Sequence, residues 1–324
     1  MRLTKYSFFL SRGVRTTTEK RKEMMLSAGT STTGDWPWDP AYYRPEVNED
    51  EEAFLTEAIK EIQEISPLSA SVKGGRSWVW RYLEGAQWLQ EPVRGKRVSS
   101  FFVDTLEWRE RENVDIILEH PSDFIDEAAS GKLFVRGKCL RGRPLIWAHL
   151  GRENNALDPE ANVRYLIYTV ERAIASMGPD SLTSESKGQF CVVVDCTYAA
   201  RGALPSLAFA RRAVSMLSLH YPSRLGKLLI VNAGSAVYYS WQAVSLLLAP
   251  VTREKVVIIS GTDKHREEEL LKYISREALE AGRIGAPGER AFDSEGYLTD
   301  RCFSEHNVEG AEAASELAKG PRLS

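Results

Sequence analysis

Residues 219–261 read LHYPSRLGKLLIVNAGSAVYYSWQAVSLLLAPVTREKVVIISG. A turn comes first, with Tyr221, Pro222, Arg224, Leu225 and Gly226. A short apolar run follows at 228–231 and ends in Asn232, Ala233 and Gly234. Such runs between turn residues predict buried strands. A helical pattern covers 237–248 and stops at Pro250, and a second buried strand, rich in Val and Ile, covers 255–260. Two buried strands joined by a helix predict a parallel crossover unit. The helix carries no charge, and its polar residues are Ser240, Gln242 and Ser245. A crossover helix usually keeps one polar side toward water. This helix is therefore either deeply buried or has a second apolar face that meets something other than protein.

Working outward, strands alternate with helices. Residues 133–137, 143–151 and 190–196 read as strands, and 159–177 and 204–220 as helices. The expectation is an α/β fold with a largely parallel sheet flanked by helices. Residues 264–281 read as one charged helix. Ahead of the sheet, Asn48 is placed to cap a helix whose first turn is Glu49, Asp50, Glu51 and Glu52, the charge a helix N-terminus prefers. That helix runs to about Ile65 with Phe54, Leu55, Ala58, Ile59, Ile62 and Ile65 as its stripe. Segments 77–88 and 98–111 add two more helices, and a further one is expected near 122–129. The division is a tail and linker at 1–48, a small helical lobe at 49–120, the main domain at 121–281 and an irregular polar tail at 282–324, disordered from about Ser304.

The chain has 324 residues, 43% of them apolar and 27% charged, which is enough to bury a real core. A net charge of −3 gives no support for a nucleic-acid partner, which calls for a basic face. Cys139, Cys191, Cys196 and Cys302 make no CxxC pair and read as free thiols of a reducing compartment. The histidines His120, His149, His220, His265 and His306 show no metal spacing. No run of 18 apolar residues is present, so membrane contact is expected to be peripheral. The first 26 residues are basic and read as a tail, with an organelle transit segment as the alternative. No dinucleotide, P-loop, zincin or nucleophile-elbow motif occurs. Asp195, at a strand end, reads as a loop or helix cap rather than a catalytic acid. The expectation is binding, not catalysis, with no cofactor.

YPSRLGK, then IVNA, then the Trp-bearing helix, then LLLAPVTREKVVIISG resembles the C-terminal half of a CRAL-TRIO lipid-binding domain. Upstream, Thr105–Arg109 with Val114 and Asp115, then Arg141-Gly142-Arg143-Pro144-Leu145, then Val192–Asp195 resemble further family segments in order, over about 77–262. The resemblance implies a lipid pocket and a function like that of the phosphatidylinositol transfer proteins: a lipid bound inside and moved or presented between membranes, by a cytoplasmic monomer that meets membranes transiently. It implies that helix 237–248 is the gate, with Val237, Trp241, Val244, Leu247 and Leu248 toward acyl chains or membrane, and with Phe190 and Val192 toward the ligand. It places the lipid head group at Thr252, Lys255 and Ser223. Three departures stand out. Ser223 holds the place of a family Glu, Ala86 and Gln87 replace an Arg-Lys pair, and Phe190 and Val192 replace polar residues that serve a choline lipid. A less polar ligand, or a module that has lost exchange and works as an interaction platform, are the alternatives.

Overall fold

The structure is a computed structural model describing residues 42–66, 75–87, 98–152, 158–199, 206–246, 248–283 and 292–300. The expected basic tail and the polar stretch from Ser304 lie outside these residues. Helix α1, Glu49–Ile65, opens as expected: Asn48 Oδ1 accepts from the Glu51 amide at 2.9 Å, and Glu51 Oε2 accepts from the Asn48 amide at 3.0 Å. That reciprocal box satisfies two backbone donors that a helix start leaves free. Leu55, Ala58, Ile59 and Ile62 are buried, but Ile65 is exposed, so the inward stripe ends one turn early. α2, Gly75–Gly85, stops before the expected Trp88: Gly85 packs against Pro222, and Gln87 turns the chain with a positive φ of 58°. α3 is Val98–Arg111. These three helices share a core of their own around Leu55, Ile59, Trp80, Tyr82 and Phe102.

The lobe is tied down by polar contacts. Buried Arg109 donates to Glu171 Oε1 at 2.6 Å and to Asp115 at 2.8 Å, and Tyr221 donates to the same Glu171 oxygen at 2.7 Å. Buried Arg81 donates to the carbonyls of Lys187, Gly188 and Ser223 at 2.8–3.2 Å. Such bonds are what make burying a cation tolerable.

Two 3₁₀ turns, Val114–Glu119 and Pro121–Phe124, lead into α4, Ile125–Ala129, so the expected helix near 122–129 is half 3₁₀. A five-stranded sheet follows in the order β1 Leu133–Lys138, β2 Pro144–His149, β3 Phe190–Asp195, β4 Leu225–Val231, β5 Val256–Ile259. β1 runs antiparallel to β2, and the other neighbours are parallel. Inner parallel strands are covered on both faces, which is why they read as continuous apolar runs. The crossovers carry α5 Pro159–Ala175, α6 Leu207–His220 and α7 Ser235–Ser245.

Three expectations are corrected. The helix expected over 237–248 ends at Ser245, and Pro250 does not terminate it but starts a new short helix, α8 Pro250–Arg253. Proline suits that first position because its missing N–H has no partner there anyway. The single charged helix is two, α9 Asp263–Leu270 and α10 Arg276–Gly282. Tyr273 and Ile274 leave the helix between them to bond the turn after β1, through Leu140 N to Tyr273 O at 2.8 Å and a bridge from Cys139 to Ile274. The stretch after 282 is not irregular throughout: α11, Ser294–Thr299, buries Tyr297 and Leu298. Its Tyr297 hydroxyl lies 3.2 Å from the Val135 amide on edge strand β1.

Candidate functional site: an apolar sheet face under an uncharged helix

Strand alternation sends every second residue to one face. The register aligns Ile146, Val192, Leu228 and Val256 in one row and Ala148, Val194, Ile230 and Ile258 in the next. The opposite face carries Trp147, Val193, Leu229 and Val257, and it packs under α10, where Gly282 leaves no room for a Cβ against the Trp147 ring. The two faces are sealed differently. Val193 and Leu229 are 0% exposed and Ile259 3%, as a closed core requires. On the first face Ile146 and Ile230 are buried, whereas Val192, Val194, Leu228 and, on edge strand β5, Val256 and Ile258 are only half-buried, as is Val257 on the other face.

Helix α7 lies over that looser face. Val237 is buried against Ile230 and Cys196, and Trp241 packs on the same small cluster with Val194, Leu228, Val256 and Ile258. Val244 and Leu248 are half-buried, and Leu247 lies outside the described residues. The outer side of the helix is apolar too: Tyr238 is 47% exposed, Tyr239 68%, and Leu246, just past its end, 79%. The helix has no side-chain cap at either end. The helix is therefore not deeply buried: one apolar face packs on the sheet and another is open to solvent. Of the other residues expected to face the ligand, Val192 is half-buried against the main core, and Phe190 is fully packed into it.

The expected head-group residues meet at the edge where the parallel strands begin. Thr252 sits in α8, and its carbonyl accepts from the Lys255 amide at 3.1 Å. Lys255 Nζ donates to the Leu225 carbonyl at 2.9 Å. Ser223, two residues before Leu225, holds a positive φ of 55°, and its carbonyl is taken by Arg81 and Gln189. Burial draws the Lys255 ammonium below its usual range, and Arg143, Lys187 and Lys227 push the same way by repulsion, opposed by Glu84. Arg143 precedes β2, Lys187 lies in the turn before β3 and Lys227 is in the first half of β4, so one sheet edge gathers four positive groups beside Glu84. In the sequence Arg143 stands only as part of a strand start, and the cluster is assembled by the sheet, because its members lie near the heads of four separate strands.

At the opposite edge, where β3 to β5 end, a cleft of about 630 Å³ is bordered by Thr197, Asn232, Gly261, Arg266 and Arg283. Asp195 beside it behaves as a loop cap. Its Oδ1 accepts from the Thr197 amide and hydroxyl and from Asn232, at 2.6–2.9 Å, and its other oxygen lies 3.4 Å from His149. Burial alone would raise its pKa, but the hydrogen bonds from His149, Thr197 and Asn232 outweigh burial and hold the carboxyl well below the usual range. Among the described residues no group of three His, Cys, Asp or Glu side chains could hold a metal, and no helix is long and apolar enough to cross a membrane.

Comparison with known proteins agrees with this architecture. The family model described as CRAL/TRIO domain matches residues 128–283. A CRAL-TRIO domain-containing protein of Schizosaccharomyces pombe is 28% identical over 258 residues, covering 75% of this chain and 23% of that protein. A phosphatidylinositol transfer protein of Saccharomyces cerevisiae is 26% identical over 207 residues, covering 58% of this chain and 53% of the relative. The chain thus spans about a quarter and about half of these two relatives. The crystal structure of Sfh5 superposes with a TM-score of 0.54 at 14% identity, covering 66% of this chain and 82% of that one, a likeness of fold.

Proposed function

We propose, from the premise that residues 128–283 are a CRAL/TRIO domain, that this protein binds a phospholipid in a chamber beneath α7 and transfers or presents it at the cytosolic surface of a membrane. The observation that carries the reading is the half-buried apolar set Val194, Leu228, Val256 and Ile258 packed with Trp241 of a helix without a charge. Each methylene taken from water is worth about 0.8 kcal/mol, so two acyl chains of about 16 carbons offer more than roughly 20 kcal/mol gross. A bilayer hides the same carbons, so exchange between protein and membrane runs close to balance. The head group then decides which lipid stays. The positive edge at Lys255, Lys227, Lys187 and Arg143 suits a phosphate, and the relative named as a phosphatidylinositol transfer protein supports an inositol lipid.

Native mass spectrometry of the purified protein, followed by lipid extraction, tests this. One phosphatidylinositol per chain is the expected result. A sterol or isoprenoid in its place would keep the chamber and refute the head-group assignment. A protein that is empty and takes up nothing from mixed phospholipid vesicles would overturn the reading.

A further inference from the structure

Arg81, Arg143, Lys187, Arg224, Lys227 and Lys255 gather where the parallel strands begin and α2 of the lobe meets them. Hydrogen bonds, packing and register place them there. Arg143 donates to the carbonyls of Glu185 and Ser186, directly before Lys187, at 2.6 and 3.2 Å, and its guanidinium lies against Gly226, directly before Lys227. Arg81 donates to the Lys187 and Gly188 carbonyls, and Arg224 to that of Gly188 at 2.8 Å. The register that pairs Leu228 with Val256 sets Lys227 beside Lys255 at the head of β5, and like charges side by side on neighbouring strands are destabilising. These bonds all end on carbonyls, which solvate a cation without neutralising it. Among the described residues none of the six makes an ion pair. Arg81, Arg143 and Arg224 are 3%, 6% and 3% exposed, and Arg81 Nε is buried with no hydrogen-bond partner. The three lysines are half-buried, within reach of a ligand from solvent. Burial disfavours the charges of Arg81 and Arg224, Arg224 repels Arg81, and Glu84 offsets only part of this at Arg81 and Lys255.

We propose that this cluster binds a ligand carrying two or more phosphate groups close together, the chemistry shared by a multiply phosphorylated inositol lipid and a free inositol polyphosphate. This rests on the lipid reading, in which the same edge takes the head group. A buried cation is costly unless it is paired, and here the pairing charge is missing from the chain itself. The phosphodiester of phosphatidylinositol brings one negative charge, whereas each phosphomonoester brings about 1.5 to 2 at pH 7. Two monoesters therefore answer a cluster that one diester leaves mostly uncompensated.

The test mixes the full chain with phosphatidylcholine vesicles that contain, at matched surface charge, phosphatidylinositol bisphosphate, phosphatidylinositol or phosphatidylserine, and reads binding by flotation. Calorimetry with inositol trisphosphate and with inorganic phosphate probes the free head group. The bisphosphate should bind roughly 10–100-fold more tightly than phosphatidylinositol, the worth of an added hydrogen bond between charged groups. Lys187→Met and Lys227→Met should each bring that ratio toward one. Tight binding of inositol trisphosphate as well assigns recognition to the phosphates alone, and vesicle preference without it assigns recognition to the lipid. A chain that takes up phosphatidylinositol, shows no preference for the bisphosphate and does not bind inositol trisphosphate overturns the proposal and leaves the lipid reading standing. A chain that takes up no lipid but binds inositol trisphosphate does the reverse. Equal binding to bisphosphate and phosphatidylserine vesicles, or inositol trisphosphate bound no more tightly than inorganic phosphate, marks a general attraction for anions and also overturns it. The wild-type comparisons decide the matter even if a lysine variant fails to fold.

Discussion

Lys255 Nζ donates to the carbonyl of Leu225 at 2.9 Å, bridging the start of β5 to the start of β4. One ammonium proton is used there, which leaves two for a ligand. Burial and the neighbouring cations disfavour its charge and Glu84 only partly offsets them, so an anion arriving at this edge would relieve the repulsion it shares with Arg143, Lys187 and Lys227. Lys255→Met keeps the stem and removes the charge. A hydrogen bond to a charged group is worth about 1.5–3 kcal/mol, so uptake of phosphatidylinositol should fall roughly 10–100-fold. Uptake of an uncharged sterol, assayed from the same vesicles, should stay within about two-fold. Equal losses for both lipids would show that the lysine supports the fold instead.

Tyr239 on the outer side of α7 and Leu246 just past its end are 68% and 79% exposed. Exposed positions of this kind contribute little to folding, so Tyr239→Glu and Leu246→Glu should move stability by no more than about 0.5 kcal/mol. Burying one large apolar side chain in a membrane interface is worth about 1.5–3 kcal/mol, and each substitution should weaken vesicle binding by roughly ten-fold or more. Vesicle sedimentation alongside urea denaturation checks this. Unchanged sedimentation would remove the outer face of α7 from membrane contact.

Strands β2 to β5 were legible because inner parallel strands are apolar throughout and end in turn residues such as Asn232 and Gly261. The crossover helices were legible through their periodicity. The break between α9 and α10 was not, since only the distant turn at Leu140 pulls Tyr273 and Ile274 out of a helical pattern. α11 stayed hidden for the same reason: six residues hardly show a period, and Tyr297 is held by contacts to Val135 and Arg172, far away in sequence. At the candidate site the uncharged helix was visible in the sequence, whereas the positive edge required the sheet register to assemble it.

Tyr297 is fully buried, with its hydroxyl 3.2 Å from the Val135 amide and the Arg172 guanidinium 4.0 Å over its ring. β1 is an edge strand paired only with β2. Tyr297→Phe keeps the ring and its cation contact and removes the acceptor. An unsatisfied buried N–H costs about 1–3 kcal/mol, and the loss in unfolding free energy should fall in that range. Hydrogen exchange at Val135 should quicken in parallel. A change below about 0.5 kcal/mol would mean that water replaces the hydroxyl and that α11 does not protect the edge.

His220 stacks on Trp108 with ring centres 4.0 Å apart and planes at 2°, and its Nδ1 lies 2.8 Å from the Thr105 hydroxyl. Trp108 and Thr105 belong to the helical lobe, so this ring forms part of its docking surface. Burial is the main cause that lowers its pKa to about 4, helped by Arg111 and Arg109 and opposed by Asp104. The unfolded chain therefore takes up a proton near pH 6.5 that the folded chain refuses until about pH 4. Between those values the unfolded state binds more protons, so stability falls as pH falls, and the contribution is whole only above 6.5. A shift of this size corresponds to roughly 3 kcal/mol at full burial. The ring keeps some solvent contact, which reduces the expected loss to about 1–2 kcal/mol. Urea midpoints measured at pH 7 and pH 4.5 should differ by more in the wild type than in His220→Gln, which cannot titrate, while carboxylate effects cancel between the two. Equal pH dependence in both proteins would mean that the lobe opens at this contact before the imidazole is protonated.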